Sequence, residues 1–129
     1  MNWQLRAVGG LLLIAHGLVH LLYVTDKADD PAYAFTLKES WLVPDAARHT
    51  IGVALMAATV TAFALVGFAV WGVPLLSRIW PVLAIVAAAL SLSLLVAFFD
   101  VQLLFGVATD LALITLAVWH PPWTAPIGT

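Results

Sequence analysis

Long apolar runs separated by short polar breaks dominate the pattern of this chain. A helix crosses the hydrocarbon core of a bilayer with about 20 apolar residues, and the chain has four runs that reach or approach that length: residues 7–24, 51–71, 79–99 and 103–119. The pattern therefore predicts an all-α fold, an integral membrane four-helix bundle, with residues 1–129 forming a single transmembrane domain.

The polar breaks between the runs predict the topology. Residues 25–49 form a long hydrophilic loop, whereas the last two runs are separated only by a tight hairpin expected near residues 100–106. With four spans, both chain ends and the 72–78 loop lie on one side of the membrane, here called side A. The 25–49 loop and the hairpin then lie on the opposite side, side B.

Two local signals refine the 25–49 loop. The segment Thr36-Leu-Lys-Glu39 has capping-box spacing, which is typical of a short helix, and a solvated loop is the alternative interpretation. Pro44-Asp45 precedes the second span. Because proline cannot continue a helix and aspartate satisfies free backbone N–H groups, we expect Asp45 to be the N-cap of that span.

Composition agrees with a membrane protein. Hydrophobic residues make up 64% of the chain and charged residues 9%, against about 45–50% and about 25% in soluble domains. The few basic residues are scattered, so we expect no nucleic-acid partner, and the absence of cysteine excludes disulfides and thiolate chemistry. The partners expected are the lipid bilayer and other membrane protein subunits.

Orientation is less strongly marked than the spans. Tryptophan and tyrosine cluster at the predicted span ends, as in an aromatic belt, but the basic residues divide almost evenly between the two sides. Arg6 adjoins the first span, which favours cytoplasmic termini in a bacterial inner membrane. The first run is longer than the 7–15-residue core of a signal peptide, so we expect it to be retained.

Two histidines inside the first span are the strongest candidates for function. His16 and His20 are four residues apart, so their side chains leave the same face of a helix. By depth, His20 and Asp110 both lie about 6 Å below the side B surface. His49 and Asp100 lie at that surface, whereas His120 belongs to side A. We therefore expect His16, His20, Asp110, His49 and Asp100 to line one site.

These residue types allow three interpretations. Imidazoles and carboxylates on facing helices can hold Zn, Fe or Mn, with His16, His20 and Asp110 as ligands. They can also bind a quinone or relay a proton. The third interpretation is structural: a hydrogen bond from His16 or His20 to Asp110 that only fixes helix packing. Ser91 and Ser93 are expected to hydrogen-bond within the bundle.

Two familiar cofactor patterns are disfavoured. The residues between the histidines are Gly17, Leu18 and Val19, so the glutamate of the His-Glu-x-x-His metalloprotease signature is missing. Haem is less favoured than a quinone or a divalent metal, because two histidines of one helix cannot ligate one haem from both faces.

The first span and the start of the last one carry short motifs. The first reads Leu5-Arg6-Ala-Val-Gly9-Gly10, followed after five residues by His16-Gly17-Leu-Val-His20-Leu21, and the second reads Phe105-Gly106-Val-Ala-Thr-Asp110-Leu111. The first resembles the opening helix of the DoxX-like group of small bacterial four-helix membrane proteins, in which a lysine stands at the position of His20. The second is similar to the Phe-Gly start of the last helix in related uncharacterised proteins. The resemblance implies a membrane subunit associated with quinone-linked or oxidative-stress redox complexes, although many members have no assigned activity.

The sequence thus predicts a small, redox-associated membrane subunit that binds a quinone or a metal at a His/Asp cluster. The main alternative is a non-catalytic structural or assembly subunit whose polar residues fix helix packing. A transporter ranks third, because helices 2 and 3 offer few polar groups for a path across the membrane.

Overall fold

The computed structural model describes residues 2–24, 40–99 and 103–128, and this part of the chain is helical with no strand. The helices are α1 (Trp3–Val19), α2 (Asp45–Trp71), α3 (Pro74–Arg78), α4 (Trp80–Ala97) and α5 (Leu104–Trp119), with 3-10 segments at His20–Val24 and Pro122–Gly128. Three helical stretches are long and apolar enough to span a membrane: Trp3–Tyr23, Asp45–Trp71 and Trp80–Ala97. Helix α5 is a shorter apolar helix. The predicted all-α membrane bundle is confirmed.

The long helices pack in sequence, α1 on α2, α2 on α4 and α4 on α5. Their buried faces meet around Phe63, Val66, Ala84 and Leu94, each with an exposed fraction of 0%. The outward faces are also apolar: large side chains such as Leu12, Phe105 and Val118 are exposed. Apolar side chains on the outside suit contact with lipid tails, which is the environment expected for a membrane bundle.

Helices α1 and α2 approach closely because glycines lie at their contact. A Cβ atom added to Gly17 would lie 2.6 Å from the Cβ of Phe63, and one added to Gly67 would lie 2.4 Å from Cγ1 of Ile14. Both distances are too short for real side chains. Small residues that let backbones approach are the usual basis of helix association in lipid.

The side A ends of α1 and α2 are joined by hydrogen bonds. The guanidinium Nε of Arg6 donates to the carbonyl of Val70 at 2.8 Å, and the indole N–H of Trp71 donates to the carbonyl of Ala7 at 3.0 Å. Gly72 then ends α2 in the left-handed conformation, with φ +99°, which suits glycine. The Arg6 contact satisfies a carbonyl that the C-terminal end of α2 leaves free.

On side B, the segment before α2 caps the end of α4. The hydroxyl of Ser40 donates to the carbonyl of Ala97, and the indole of Trp41 donates to that of Val96 at 2.6 Å. Arg48 holds this segment in turn by donating to the carbonyls of Val43 and Ser40. The 40–48 segment therefore anchors the hydrophilic loop to the bundle.

Several boundaries differ from the sequence-based expectation. Pro44 rather than Asp45 is the N-cap of α2, and Asp45 is the first helical residue, paired with Arg48. The short helix α3 lies where a loop was expected; it begins at Pro74, whose fixed φ and missing N–H suit a first helical position. The candidate helix at 36–39 and the hairpin residues 100–102 lie outside the described residues.

Candidate functional site

A buried polar contact joins the first and last long helices. Nε2 of His16 on α1 lies 3.1 Å from Oδ1 of Asp110 on α5. The Asp110 side chain is fully buried, whereas that of His16 has an exposed fraction of 17%. The sequence analysis allowed a hydrogen bond to Asp110 from either His16 or His20, and in the structure His16 makes the direct contact.

Ser91 on α4 extends the contact to the second histidine. Its Oγ lies 2.5 Å from Oδ2 of Asp110 and 2.9 Å from Nε2 of His20. All three side chains are buried. The result is a continuous chain of hydrogen-bond contacts, His20–Ser91–Asp110–His16, here called the polar chain, which links α1, α4 and α5.

The local backbone orients His20. Helix α1 ends at Val19 and continues as a 3-10 turn, and Nδ1–H of His20 donates to the carbonyls of His16 and Gly17 at 3.0 and 3.2 Å. A carbonyl oxygen can only accept, so this contact leaves Nε2 pointing at Ser91. The tightened turn therefore positions one specific ring nitrogen in the bundle.

Phe63 on α2 supports both imidazoles. Its ring centroid lies 4.8 Å from that of His16 in an edge arrangement and 6.2 Å from that of His20 in a stacked one. Because Gly17 lies against the Cβ of Phe63, the aromatic ring and the two histidines form one packed unit. Apolar packing of this kind restricts the rotamers of both histidines.

A cavity of about 200 Å³ adjoins the polar chain. Both histidines line it, and its remaining lining residues are Val19, Leu95, Leu103, Phe105 and Gly106. In the part of the chain that the structure describes, Nδ1 of His16 has no hydrogen-bond partner. His16 therefore lines the cavity with a ring whose Nδ1 has no partner among the described residues.

A second cavity, of about 260 Å³, lies toward side A and is lined by residues of α1, α2, α4, α5 and the Pro122–Gly128 turn. Leu12 and Leu13 of α1 line it together with Leu113 and Leu116 of α5, and its walls are almost entirely apolar. Along α1 and α5, the hydrogen bond between His16 and Asp110 comes between the first cavity and the residues that line the second. This hydrogen bond therefore separates the two cavities.

The predicted site residues are not all brought together. His16, His20 and Asp110 belong to the polar chain, but His49 is exposed near the start of α2 and does not join it. Asp100 lies outside the described residues. Ser91 was expected to hydrogen-bond within the bundle, but its position between His20 and Asp110 was not predicted.

Apart from Nδ1 of His16, the nitrogen and oxygen atoms of the polar chain face hydrogen-bond partners. Among the residues for which the structure gives positions, no group of three or more His, Asp or Glu side chains is arranged to hold a metal ion. The arrangement instead suits proton exchange, because each member of the polar chain can donate or accept a hydrogen bond.

Comparison with known proteins leaves function to be inferred from this geometry. No protein-family model, curated protein or solved structure matches the chain. The resemblance of the first helix to the DoxX-like group rests on its sequence motif alone. The His16-Gly17 dipeptide of that motif lies in the candidate site.

Proposed function

We propose that this protein is a small membrane subunit associated with a redox process, and that it binds the ring of a quinone in the cavity beside His16. The observation that carries the proposal is the position of His16, which lines an apolar cavity, has no partner for Nδ1 among the described residues, and contacts buried Asp110 through Nε2. A bacterial cytoplasmic membrane is the location proposed for it.

The cavity suits a single ring with polar substituents. Its volume of about 200 Å³ is below the roughly 300–1,000 Å³ of sites for drug-sized ligands. Val19, Leu95 and Leu103 supply apolar walls, and His16 supplies the hydrogen-bonding group that fixes orientation. A few polar groups in an apolar pocket are the usual composition of a ligand site.

The second cavity supports a ligand with an apolar tail. Its lining includes Leu12 of α1 and Leu113 and Leu116 of α5. These residues are one to two helical turns from the α1 and α5 residues that line the first cavity. A membrane-soluble quinone consists of a polar ring and a long apolar tail. The second cavity therefore offers apolar surface suited to such a tail, on the other side of the His16–Asp110 hydrogen bond.

The protein's own residues can handle the proton of a bound ring. A quinone supplies two-electron redox chemistry when it is bound. Nδ1 of His16 can accept a proton from a ring hydroxyl while Nε2 passes its proton to Asp110. A histidine that is oriented by a hydrogen bond to another side chain is the usual arrangement of a general base.

The test is binding of decylubiquinone to the detergent-purified protein, followed by quenching of tryptophan fluorescence. We expect His16→Gln, which changes the free nitrogen, and Val19→Trp, which fills the cavity, each to weaken binding about tenfold or more, equivalent to roughly 1.4 kcal/mol. His120→Gln, at the side A end of α5, is the matched control and should bind as the wild type does. Equal binding by all variants, or none by the wild type, would refute the proposal.

The alternative is a structural or assembly subunit, and the burial of Asp110, Ser91 and His20 with mutual hydrogen bonds favours it. In that case, the same two cavity variants would change thermal stability in detergent without changing quinone binding. Measuring both quantities on each variant distinguishes the two functions.

A further inference from the structure

The polar chain has more hydrogen-bond contacts than its members have protons in their ordinary forms. His20 contacts Ser91, Ser91 contacts Asp110, and Asp110 contacts His16. A fourth contact links Nδ1 of His20 to backbone carbonyls. Each of the four needs one proton between its two heavy atoms.

The ordinary forms supply one proton too few. Two neutral histidines and a serine bring one proton each, and an ionised aspartate brings none. The His20 proton is used at the backbone carbonyls and the His16 proton at Oδ1 of Asp110. The single Ser91 proton would then have to serve both Nε2 of His20 and Oδ2 of Asp110, leaving two lone pairs facing each other in a buried contact.

We infer that the polar chain is a proton relay that holds one additional proton, shared between Asp110 and His20, with Ser91 as the positioning hydroxyl between them. The additional proton completes every contact and makes the four side chains neutral as a set. Neutrality matters at this depth, because an unpaired charge within the hydrocarbon region costs several kcal/mol.

No other charged group of the described residues competes for this proton. Helix α2 faces the polar chain with Phe63, and the other histidine, acidic and basic side chains with described positions lie at helix ends. They are Arg6, Asp45, Arg48, His49, Arg78 and His120. The proton therefore belongs to the polar chain itself.

The resting position expected for the additional proton is Asp110, because the other distribution, ionised Asp110 with His20 imidazolium, buries two charges. With Asp110 protonated, Oδ2–H donates to Ser91, and Ser91 donates to Nε2 of His20. Oδ1 remains an acceptor for Nε2–H of His16. This pattern requires no movement of a heavy atom, because the three pairs of atoms already lie at hydrogen-bond distance.

The same contacts allow transfer in balanced steps. A proton from a hydroxyl in the cavity binds Nδ1 of His16, and the Nε2–H bond of that ring breaks as its proton moves to Oδ1 of Asp110. The Oδ2 proton moves to Ser91, whose own proton moves to Nε2 of His20. One proton has then passed from the cavity to His20, which becomes an imidazolium, and the donor hydroxyl has become an oxyanion.

The inference concerns the protein alone and does not depend on a quinone being the donor. It is tested by solid-state NMR at neutral pH on wild-type protein in lipid bilayers, labelled with ¹³C-aspartate and ¹⁵N-histidine. We expect one protonated aspartate carboxyl, absent from Asp110→Asn, and a His20 ring protonated at Nδ1 only. A His20 imidazolium beside ionised Asp110 would also support the additional proton. An ionised Asp110 between two neutral histidines would overturn the inference.

Ser91→Ala provides a second readout, because the hydroxyl proton of Ser91 points to a different partner when the polar chain holds the additional proton than when it does not. When the polar chain holds the additional proton, Ser91 donates to Nε2 of His20. Removal of the Ser91 hydroxyl should then shift the ¹⁵N signal of Nε2 to that of an imidazole nitrogen that accepts no hydrogen bond. Without the additional proton, Ser91 donates to Asp110, and the ¹⁵N signal of His20 would not move in Ser91→Ala. Unchanged His20 signals in a folded Ser91→Ala protein would therefore also overturn the inference.

Two further variants serve as controls for the serine experiment. Ser93→Ala removes a hydroxyl from the same helix that is exposed and bonded only to the carbonyl of Ala89, and it should leave the histidine signals unchanged. Ser91→Thr keeps the hydroxyl and should retain the wild-type signal of His20. Should Ser91→Ala fail to fold, the wild-type measurement still decides the question.

Discussion

Asp110 is the one carboxylate buried among the residues that the structure describes, and it lies between a serine and a histidine rather than beside a cation such as arginine or lysine. Burial of an ionised carboxylate is expensive unless charged partners compensate for it. A protonated carboxyl in the same place is an ordinary hydrogen-bonding group. This is the form that the proposed additional proton gives to Asp110.

This view predicts different effects for two substitutions of Asp110. Asn has the shape of the protonated acid, and its amide N–H can donate to Ser91 while its oxygen accepts from His16. We expect Asp110→Asn to change the free energy of unfolding by less than about 1 kcal/mol. Asp110→Ala should cost about 2–4 kcal/mol, because it leaves a cavity and unpaired polar groups.

Denaturant unfolding in detergent, followed by tryptophan fluorescence, measures both variants of Asp110. Equal losses of stability for Asn and Ala would contradict a protonated Asp110. Thr109→Ala is the control for general effects on α5, because its exposed hydroxyl bonds only to the carbonyl of Phe105.

The sequence could predict only the depth of each site residue in the membrane, and not which side chains touch. Counting residues from the span ends places His16, His20 and Asp110 in one half of the membrane, and the structure joins them. Which of them touch depends on the rotation of each helix about its axis. Because the outward faces of these helices are as apolar as the inward ones, hydrophobic periodicity does not reveal that rotation, and the role of Ser91 between His20 and Asp110 was missed.

At the scale of elements, the contact between α1 and α2 sets the position of the histidines. Gly17 lies next to His16 in the chain and against Phe63 in space, and Phe63 packs on both imidazoles. A change in the separation of the two helices would therefore move the rings relative to Asp110 and Ser91, which lie on other helices.

Two glycine substitutions on α1 test this element. We expect Gly17→Ala to lower the free energy of unfolding by about 1–3 kcal/mol, because the added methyl would overlap the Cβ of Phe63. Gly9→Ala is the matched control: its nearest neighbour would be Cγ1 of Val70 at an ordinary 3.8 Å. Alanine's higher helix propensity should leave Gly9→Ala neutral or more stable by up to about 1 kcal/mol.

Thermal melting in detergent and the histidine NMR signals report on both glycine variants. Displaced histidine signals are expected in Gly17→Ala alone. If Gly9→Ala were as damaging as Gly17→Ala, close approach at Phe63 would not be the reason for the glycine.

The long elements were predictable because length and apolar character suffice to mark a span, and α4 and α5 lie within a few residues of the expected ranges. The short elements were not. Helix α3 and the Pro122–Gly128 turn depend on contacts with each other and with α2, so their stability comes from tertiary packing that local sequence does not encode.

At the scale of the whole molecule, the N-terminal end of α1, the C-terminal end of α2 and the Pro122–Gly128 turn lie at one end of the bundle. Arg6 and Trp71 bond across α1 and α2 there, and the final turn contacts α2 and α3. The segment 40–48 lies at the opposite end, against α4. This arrangement agrees with both chain ends being on one side of a membrane.

Cysteine labelling tests that topology, and the chain contains no native cysteine to interfere. In oriented vesicles, single cysteines replacing Asn2 and Thr129 should react with a membrane-impermeant maleimide from the same side, and one replacing Asp45 from the other. With cytoplasmic termini, only the Asp45→Cys protein is labelled in intact cells whose outer membrane has been permeabilised. Opposite labelling of positions 2 and 129 would exclude an even number of spans.

The unequal length of the helices has a consequence for the surrounding lipid. Helix α5 has 16 residues and is therefore about 24 Å long, whereas the 27-residue α2 reaches about 40 Å. A hydrocarbon core of about 30 Å is too thick for the first and too thin for the second. We therefore expect the bilayer to thin beside α5 while α2 tilts or protrudes, and lipids with shorter acyl chains to gather along the face that contains the His16 cavity.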